Sequence, residues 1–396
     1  MIPRYNWDYG FLDLMSALSS VFQPVRDNGN SFEKVFDQTP LFTTSGRMSL
    51  YVILKALNLP PGAHIGVPLY CCPVVFDVIK RASLKPKFID IELSTYTISP
   101  EDLARKRESL AAVVAVHMFG HPVDINQICD RAGDIPVIED CAQSLFSKYK
   151  NITTGALSTA SFFSFRSGKY ISAGEGSILF AKEPRLIKEI TQTIHSIKKP
   201  TLLEELVHCI STYIKSTLYK RPWYGTIGYP IGKLVENKLN LTAKTGFKCA
   251  AIRKSNVKII SRKIDTFKNN IVKQRENALY LLERIKLDNC FLPFEKKDCY
   301  SNYFQFALRF ENKIQRDFMS DYLLKKGIDS AKYLYDVIDI AKKEYNYQGD
   351  CPITELCAAS VLIIPHYYTL SRKELDYIIH HINNANDRLK ELSRNQ

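Results

Sequence analysis

Long uninterrupted apolar runs are absent from the sequence. Its longest stretch without a charged residue, 56–76, contains four prolines and two glycines, which break any helix long enough to cross a membrane. The first eight residues also lack the apolar core of a signal peptide. We therefore expect a cytoplasmic protein.

Cysteine pairs of the kind that bind metals are absent too. Ten cysteines are scattered along the chain, none at C-x-x-C spacing and none followed by a histidine at zinc-finger spacing. Scattered cysteines of this kind are typical of a reducing compartment. The sequence therefore predicts neither a disulfide framework nor a metal site.

The two common glycine motifs for nucleotide binding are also missing. No G-x-G-x-x-G follows the first predicted strand. Ser167-Gly168-Lys169 fails as the end of a P-loop, because Phe163 stands where the first glycine of that motif belongs. The sequence therefore predicts neither kind of site.

The composition is that of a globular chain with a basic balance. Of 396 residues, 45% are hydrophobic and 24% are charged, which excludes a disordered or collagen-like chain, and the length indicates two or three domains. The net charge of +13 is concentrated in residues 244–275, where isoleucines recur at helical spacing. We expect one long amphipathic helix with a solvated basic face, and the alternative is contact with a polyanion or a membrane surface. Nucleic acid is not an expected partner, because no recognition motif accompanies the charge.

The chain divides into three kinds of pattern. Short apolar strands alternate with helices over residues 40–185, which predicts an α/β layer with a largely parallel sheet. Residues 186–243 are interpreted as a helical insertion. Its helix at about 202–218 carries an apolar stripe, expected to be core or dimer surface with a membrane-facing patch as the alternative, and a loop over 221–230 follows. The rest of the chain is α+β and includes a capping box at 371–374.

Three short segments carry groups that could work together. Thr44-Ser45-Gly46-Arg47 opens a helix whose free N–H groups and dipole can hold a phosphate. Asp140 ends an apolar strand, where α/β sheets place ligands, and Lys169 lies in a turn of small residues after the next apolar strand. Each feature alone is ordinary: a helix cap, a salt-bridge acid, a surface lysine. Together they are the phosphate cradle, the buried acid and the lysine that pyridoxal 5'-phosphate (PLP) requires.

In this order and spacing, the segments resemble those of the PLP-dependent nucleotide-sugar aminotransferases of fold type I, the DegT type. The motifs that carry the resemblance are Thr44-Ser45-Gly46-Arg47, Val116–Asp124, Ile138–Gln143 and Phe163–Lys169. The resemblance implies an α/β large domain of PLP fold type I, with a mostly parallel sheet, over residues 1–245. It implies a smaller α+β C-terminal domain over 246–396, which includes the basic connecting helix. It also implies a homodimer with the active site at the subunit interface.

The resemblance further implies roles for individual residues. Lys169 matches the lysine that forms a Schiff base with the cofactor aldehyde, and Asp140 matches the acid at the pyridine nitrogen. Gln143 matches a position close to the cofactor ring and its phenolic oxygen. The positions that match ligands of the cofactor phosphate are Ser45, Gly46, Arg47 and Ser164.

Other positions depart from the family pattern or concern the substrate. Cys72 stands where an aromatic residue usually covers the cofactor ring, so either Tyr70 takes over or a thiol packs there. Lys244 stands in place of an Asn-x-Arg-Met motif that serves the neighbouring subunit's phosphate site, and could supply its charge. The candidate substrate contacts are His117 and Arg166. Their alternative interpretations are a strand histidine satisfied by backbone and a solvated loop charge.

The resemblance implies transfer of an amino group from an amino acid, usually glutamate, to a keto carbon of a nucleotide-linked sugar, in polysaccharide or glycan biosynthesis. The expected partners are these small molecules. One alternative is a PLP-dependent sugar dehydratase or lyase, which Lys169 disfavours because such relatives tend to replace the lysine. The other is a non-catalytic PLP-bound regulator or a membrane-peripheral scaffold, which the altered second motif and the basic segment favour.

Overall fold

A seven-stranded sheet forms the centre of the molecule. The computed structural model describes residues 1–22, 32, 35–239 and 250–394. The strands in the first half of the chain are β1 (Leu41–Thr43), β2 (His64–Pro68), β3 (Lys85–Ile89), β4 (Ala112–Val116), β5 (Val137–Asp140), β6 (Lys148–Tyr149), β7 (Ile152–Thr153), β8 (Ala160–Ser164) and β9 (Ser177–Ala181). The order across the central sheet is β1-β9-β8-β5-β4-β2-β3.

Most of this sheet is parallel. The strands β3, β2, β4, β5 and β8 pair in parallel, and β9 and β1 are antiparallel additions at one edge. All five residues of β4 are buried, as expected for a strand that is covered on both faces. The helices of this part of the chain are α1 (Phe11–Phe22), α2 (Gly46–Ala56), α3 (Val74–Arg81), α4 (Pro100–Lys106), α5 (Ile125–Ala132) and α6 (Pro184–His195). The predicted α/β layer with a mostly parallel sheet is confirmed.

The helix of the insertion, α7 (Leu202–Leu218), has the predicted bounds, but its apolar stripe does not lie in a core. Of the six residues in this stripe, only Leu206 and Tyr213 pack against a buried cluster. The other four are exposed: Leu203, Val207, Ile210 and Ile214. The part of the prediction that assigned the stripe to the core is therefore wrong. Among the helices that the structure describes, none combines the length and the hydropathy needed to cross a bilayer.

The segment predicted as a loop over 221–230 is mostly helical. A π-helical turn covers Tyr224–Gly228, and α8 (Tyr229–Leu239) follows it. The loop prediction depended on proline and glycine, but Gly225 and Gly228 lie within the π-helical turn and Pro230 is the second residue of α8. The buried Tyr224 holds the turn in place through a hydrogen bond from its hydroxyl to Asp329.

The basic segment forms two helices rather than one. They are α9 (Lys254–Ile264) and α10 (Phe267–Arg284), separated by Asp265 and Thr266. The Thr266 hydroxyl and its backbone N–H both bond to the Lys263 carbonyl, at 3.2 Å each, which replaces the regular helical bonding at that point. The predicted apolar stripe still exists across the break, since Ile259, Ile264 and Ile271 are all buried.

The C-terminal part is an antiparallel sheet covered by helices, which confirms the predicted α+β pattern. Its strands are β10 (Cys290–Phe291), β11 (Cys299–Tyr300), β12 (Phe306–Phe310), β13 (Ala331–Lys332) and β14 (Val361–Ile364). The order of this sheet is β10-β12-β14-β13, and β11 pairs instead with β6. Its helices are α11 (Lys313–Lys325), α12 (Val337–Tyr345), α13 (Pro352–Ser360), α14 (Arg372–Asn384) and α15 (Asn386–Arg394). The predicted capping box is present at the start of α14.

Asp90 connects the central sheet to a helix of the C-terminal part. It follows β3 directly, and its carboxylate accepts hydrogen bonds from the N–H groups of Ile353 at 2.9 Å and Thr354 at 2.8 Å, in the first turn of α13. The Thr354 hydroxyl donates a third bond at 2.8 Å. Because Asp90 is buried, its loss leaves these donors without water or protein as a partner.

We therefore expect Asp90→Ala to lower the free energy of unfolding by about 2 kcal/mol, through loss of a helix cap and of buried bonds to a charged group. Urea unfolding followed by circular dichroism measures the change. Asp77→Ala is the control, because it removes only an exposed i,i+4 pair with Arg81 and should cost less than about 0.5 kcal/mol. Equal losses in the two variants would contradict the assignment.

Candidate active site

The site is formed where two neighbouring parallel strands end. Strand β5 pairs with β8 so that Asp140 lies beside Phe162, and both strands have their carboxyl ends at the same edge of the sheet. After β8 the chain turns back through Gly168, whose φ of +85° lies in the left-handed region that glycine adopts without strain. The Lys169 N–H closes this turn on the Arg166 carbonyl at 2.9 Å. The turn thus directs Lys169 toward the end of β5.

One open cavity of about 120 Å³ brings most of the predicted residues together. The carboxylate at the end of β5, the lysine of the turn and the first residues of α2 all border it. The predicted residues that line this cavity are Ser45, Gly46, Arg47, Cys72, Asp140, Ser164, Arg166 and Lys169. Residues far apart in the sequence therefore share one site, as the three-segment hypothesis requires.

Three of the predicted residues that the structure describes do not line this cavity: Tyr70, Gln143 and His117. Tyr70 is fully buried and donates to the Tyr333 carbonyl at 3.4 Å, so of these two side chains only Cys72 borders the cavity. Gln143 accepts from the Phe119 N–H at 3.1 Å and donates to the Tyr333 hydroxyl at 3.2 Å. The predicted contact of Lys244 with a phosphate lies outside the described residues.

His117 is likewise absent from the cavity lining, because both of its ring nitrogens are occupied elsewhere. Nδ1 accepts from the Val123 N–H at 3.0 Å, so Nε2 carries the proton and donates to Glu139 at 3.1 Å. Glu139 also accepts from the N–H groups of Gly155 and Ser158, at 2.9 and 3.1 Å. Burial alone would raise the pKa of Glu139, but the bonds from His117 and the backbone outweigh it and lower the pKa. With these bonds in place, the structure gives His117 a supporting position behind β5.

The first turn of α2 suits a phosphate. The Ser45 hydroxyl accepts from the Met48 N–H at 3.3 Å as the helix cap, and the N–H groups of the next two residues have no partner within the helix. At Gly46 a Cβ atom would lie in tight contact with the Phe162 ring, at 3.3 Å, and 3.6 Å from Ser164, so glycine gives the phosphate the most room at this helix end. Arg47 adds a positive charge at the same helix end.

The surroundings of Lys169 increase the fraction of its side chain that is a neutral amine. Burial and the nearby positive charge of Arg166 lower the pKa of Lys169 to about 8, against the opposing attraction of Asp140. Its Nζ also lies 4.8 Å from the centre of the Phe304 ring. Near neutral pH a sizeable fraction of the lysine is therefore unprotonated and able to act as a nucleophile.

Asp140 presents a buried carboxylate to the cavity. One oxygen accepts from the Ala142 N–H at 2.9 Å, and within the described residues the other makes no hydrogen bond. Burial raises the pKa of Asp140, and the bond from Ala142 and the charge of Lys169 act against that rise. A cationic ring nitrogen placed at the free oxygen would stabilise the ionised carboxylate further.

These groups together fit PLP. The helix end and the glycine cradle suit its phosphate, the free oxygen of Asp140 suits its ring nitrogen, and the amine of Lys169 suits its aldehyde. Beside the cradle, the buried Thr44 hydroxyl oxygen has no hydrogen-bond partner within the described part of the chain. The chemistry that the arrangement can support is covalent binding of a carbonyl followed by proton transfer at a neutral amine.

A second cavity on the other side of Lys169 contains residues that the sequence did not predict. It is formed by the N-terminal segment and by the edge of the antiparallel sheet, and its lining includes Arg4, Tyr5, Asn6, Phe304, Gln305 and His366. Arg4 is paired with Asp329 at 2.8 Å. No local pattern marks these residues, because they reach the lysine only after the two sheets pack together.

Comparison with known proteins gives one family. A family model described as the DegT/DnrJ/EryC1/StrS aminotransferase family matches residues 30–383. A GDP-perosamine synthase from Escherichia coli O157:H7 is 26% identical over 346 residues, which is 86% of this chain and 84% of that protein.

Solved structures share the fold. One is DesI, crystallised in the presence of its TDP-sugar product, with a TM-score of 0.77 and 18% identity over 100% of this chain and 95% of that one. Another is GDP-4-keto-6-deoxymannose-3-dehydratase (ColD) with bound GDP-perosamine, with a TM-score of 0.76 and 17% identity over 96% of this chain and 100% of that one. At these identities the structural likeness concerns the fold.

The lowered pKa of Lys169 is testable through Arg166. We expect Arg166→Gln to raise the pKa of Lys169 above about 8, because one of the two causes that lower it is removed. Apo-protein is mixed with PLP, the covalent product is trapped with borohydride, and the capture rate is measured against pH. Its midpoint should move to higher pH in the variant. Arg105→Gln, an exposed arginine on α4, should leave the midpoint unchanged, and an unmoved midpoint in Arg166→Gln would refute the coupling.

Proposed function

Since this chain belongs to the DegT/DnrJ/EryC1/StrS aminotransferase family, it is a PLP-dependent aminotransferase, and we propose that it aminates a nucleotide-linked keto sugar. We take glutamate as the amino donor. The observation that carries the proposal is the meeting of Lys169, Asp140 and the first turn of α2 in one cavity. The amination of a sugar is supported by the GDP-perosamine synthase, which this chain resembles over most of its length.

The cofactor would be held by residues from three elements. The phosphate would be bound by the first turn of α2, with Ser45, Gly46 and Arg47, together with Ser164 at the end of β8. Asp140 would pair with the ring nitrogen. PLP, when bound, supplies an electron sink that stabilises negative charge on the carbon next to the amine.

Lys169 would perform two tasks with the same nitrogen. As a neutral amine it binds the cofactor aldehyde, and its pKa of about 8 keeps a usable neutral fraction near neutral pH. As a free amine, Lys169 would also hold a proton and move it from one carbon of the reactants to another. This is general acid–base work for which a pKa near the working pH is favourable.

The cations around the cavity suit an anionic substrate. Arg166 is exposed at the mouth of the cavity, and no acidic side chain among the described residues forms an ion pair with it. A nucleoside diphosphate would bring a double negative charge to this position, and the planar guanidinium can bind it through two parallel hydrogen bonds.

The proposal extends to the setting of the reaction. We propose a homodimer in the cytoplasm that serves polysaccharide or related glycan synthesis. The resemblance to the family supports the dimer and the pathway, and the scattered cysteines support a reducing compartment.

The amino transfer can be tested in its two halves. We expect glutamate to convert protein-bound PLP to the pyridoxamine form with one equivalent of 2-oxoglutarate, and a keto-sugar nucleotide to reverse the change while it is aminated. Chromatography of the released cofactor and mass spectrometry of the sugar measure both. Bound PLP that no amino acid converts would favour the regulator alternative. Loss of water from the sugar without lasting amination would favour the dehydratase.

The role of Lys169 can be tested with a substitution that keeps its charge. In Lys169→Arg we expect no borohydride-trapped PLP on the peptide that contains position 169, and a fall in amino transfer of at least about a hundred-fold. Lys182→Arg, a matched change on a lysine outside the cavity, should retain both. A trapped cofactor on another lysine of the first variant would refute the assignment.

A further inference from the structure

The helix α7 has its polar and apolar faces reversed. Two sets of residues with the same spacing lie on opposite sides of it, because they are offset by two positions. The buried set is Glu205, Cys209, Thr212 and Ser216. The exposed set, which we call the apolar ridge, is Leu203 (70% exposed), Val207 (56%), Ile210 (48%) and Ile214 (51%). A helix on a water-facing surface normally shows the reverse arrangement.

The orientation of the helix is fixed by hydrogen bonds on its buried side. Glu205 accepts from the Lys254 N–H at 2.9 Å and from the Ser255 hydroxyl at 2.7 Å, at the start of α9. At the other end, the Ser216 hydroxyl donates to the Trp7 carbonyl at 2.8 Å. Rotation of α7 to bury the ridge would break these buried bonds, so the outward direction of the ridge is built into the fold.

The exposed apolar surface continues beyond the ridge. Helix α1 packs beside α7, with the Phe11 ring in edge contact with Tyr213 at 6.3 Å between ring centres. Its Leu12 and Met15 are exposed, at 73% and 50%. After the helix, Trp223 is exposed at 48%. Two neighbouring helices and an exposed tryptophan thus present aliphatic and aromatic side chains to the outside, a combination that suits the interface of a bilayer.

The charges around the ridge are basic. Lys198 and Lys199 precede the helix and Lys215 lies beside Ile214. All three are exposed and form no close ion pair among the described residues, and Lys198 lies near the carboxylate of Glu204. The two acids of the helix are both engaged: Glu204 in the capping box with Thr201, and Glu205 in the buried bonds described above. Positive charge therefore accompanies the apolar surface at both ends.

We propose that the apolar ridge lies on a lipid surface with acidic headgroups, with α7 parallel to the bilayer plane. The aliphatic side chains would enter the acyl boundary, and the lysines would contact the headgroups. A second copy of the chain is the less favourable occupant. In a two-fold contact between ridges, each pair of helix ends brings together more lysines than acids, whether the helices run parallel or antiparallel, because Lys198, Lys199 and Lys215 outnumber the exposed Glu204.

Vesicle flotation of the PLP-bound protein tests the proposal. We expect binding to phosphatidylcholine vesicles that contain phosphatidylglycerol, and weaker binding without it or at higher salt. Ile214→Glu should bind roughly ten-fold more weakly or worse, because a charge replaces an inserted side chain. Ile314→Glu on α11 is the matched control, since Ile314 and Ile214 are equally exposed at 51%, and it should bind as the parent does. Lys198→Glu with Lys199→Glu should reduce the advantage of acidic vesicles.

Three results would overturn the proposal. The first is no binding of the parent protein to either kind of vesicle. The second is an equal loss of binding in Ile214→Glu and Ile314→Glu. The third is that the parent protein does not bind lipid and that light scattering gives Ile214→Glu a smaller particle mass than the parent. That result would assign the ridge to a contact with a second copy of the chain. Conversion of the cofactor by glutamate in free solution should be unchanged in every variant, so failure of this proposal is distinct from failure of the proposed reaction.

Discussion

The parallel pairing of β5 with β8 is the constraint on which the site depends. Since side chains alternate along a strand, the register that sets Asp140 beside Phe162 decides which face of the sheet receives the carboxylate. The same pairing brings the end of β8, and the turn that carries Lys169, to that edge. A shift of one residue would turn the Asp140 side chain to the other face of the sheet, away from the cavity and Lys169.

The two adjacent acids of β5 illustrate how environment assigns different roles to similar groups. Glu139 receives bonds from His117 and from backbone N–H groups, so it is a satisfied ion that supports the strand from behind. Asp140 receives one bond from the backbone and keeps an oxygen for the cavity. Burial raises the pKa of both carboxylates, and hydrogen bonds lower it. At Glu139 the hydrogen bonds have the larger effect and the pKa is lowered, whereas at Asp140 burial has the larger effect and the pKa is raised. Only the second is left to bind a cation.

The sequence patterns predict correctly those features of the site that depend on residues close together in the chain. The strand ends, the helix cap at Ser45 and the glycine turn before Lys169 are local features, and they converge because parallel strands end at one edge. Phe304 lies over the Lys169 amine only because the antiparallel sheet packs there, and no periodic signal marks it. The sequence pattern wrongly predicts that part of the apolar stripe of α7 lies in the core, for a related reason. The sequence does not disclose that Glu205 finds its partners at the start of α9, which makes the polar side the buried one.

The excess of basic residues does not indicate one function, because the cations have different neighbours in different parts of the molecule. Arg166 is directed at the cavity, where it helps to lower the pKa of Lys169. On α9, Lys263 is neutralised by Asp8 and Asp13, at 3.1 and 3.0 Å, and contributes to the attachment of the N-terminal segment. The lysines beside the apolar ridge have no such partners. A net charge of +13 therefore predicts neither a nucleic acid nor a membrane by itself. Two features distinguish these places: whether the cation has an acidic partner, and which group lies beside it. Arg166 lies near the Lys169 amine, which can lose its charge, and the lysines of the insertion lie beside the aliphatic surface of α7.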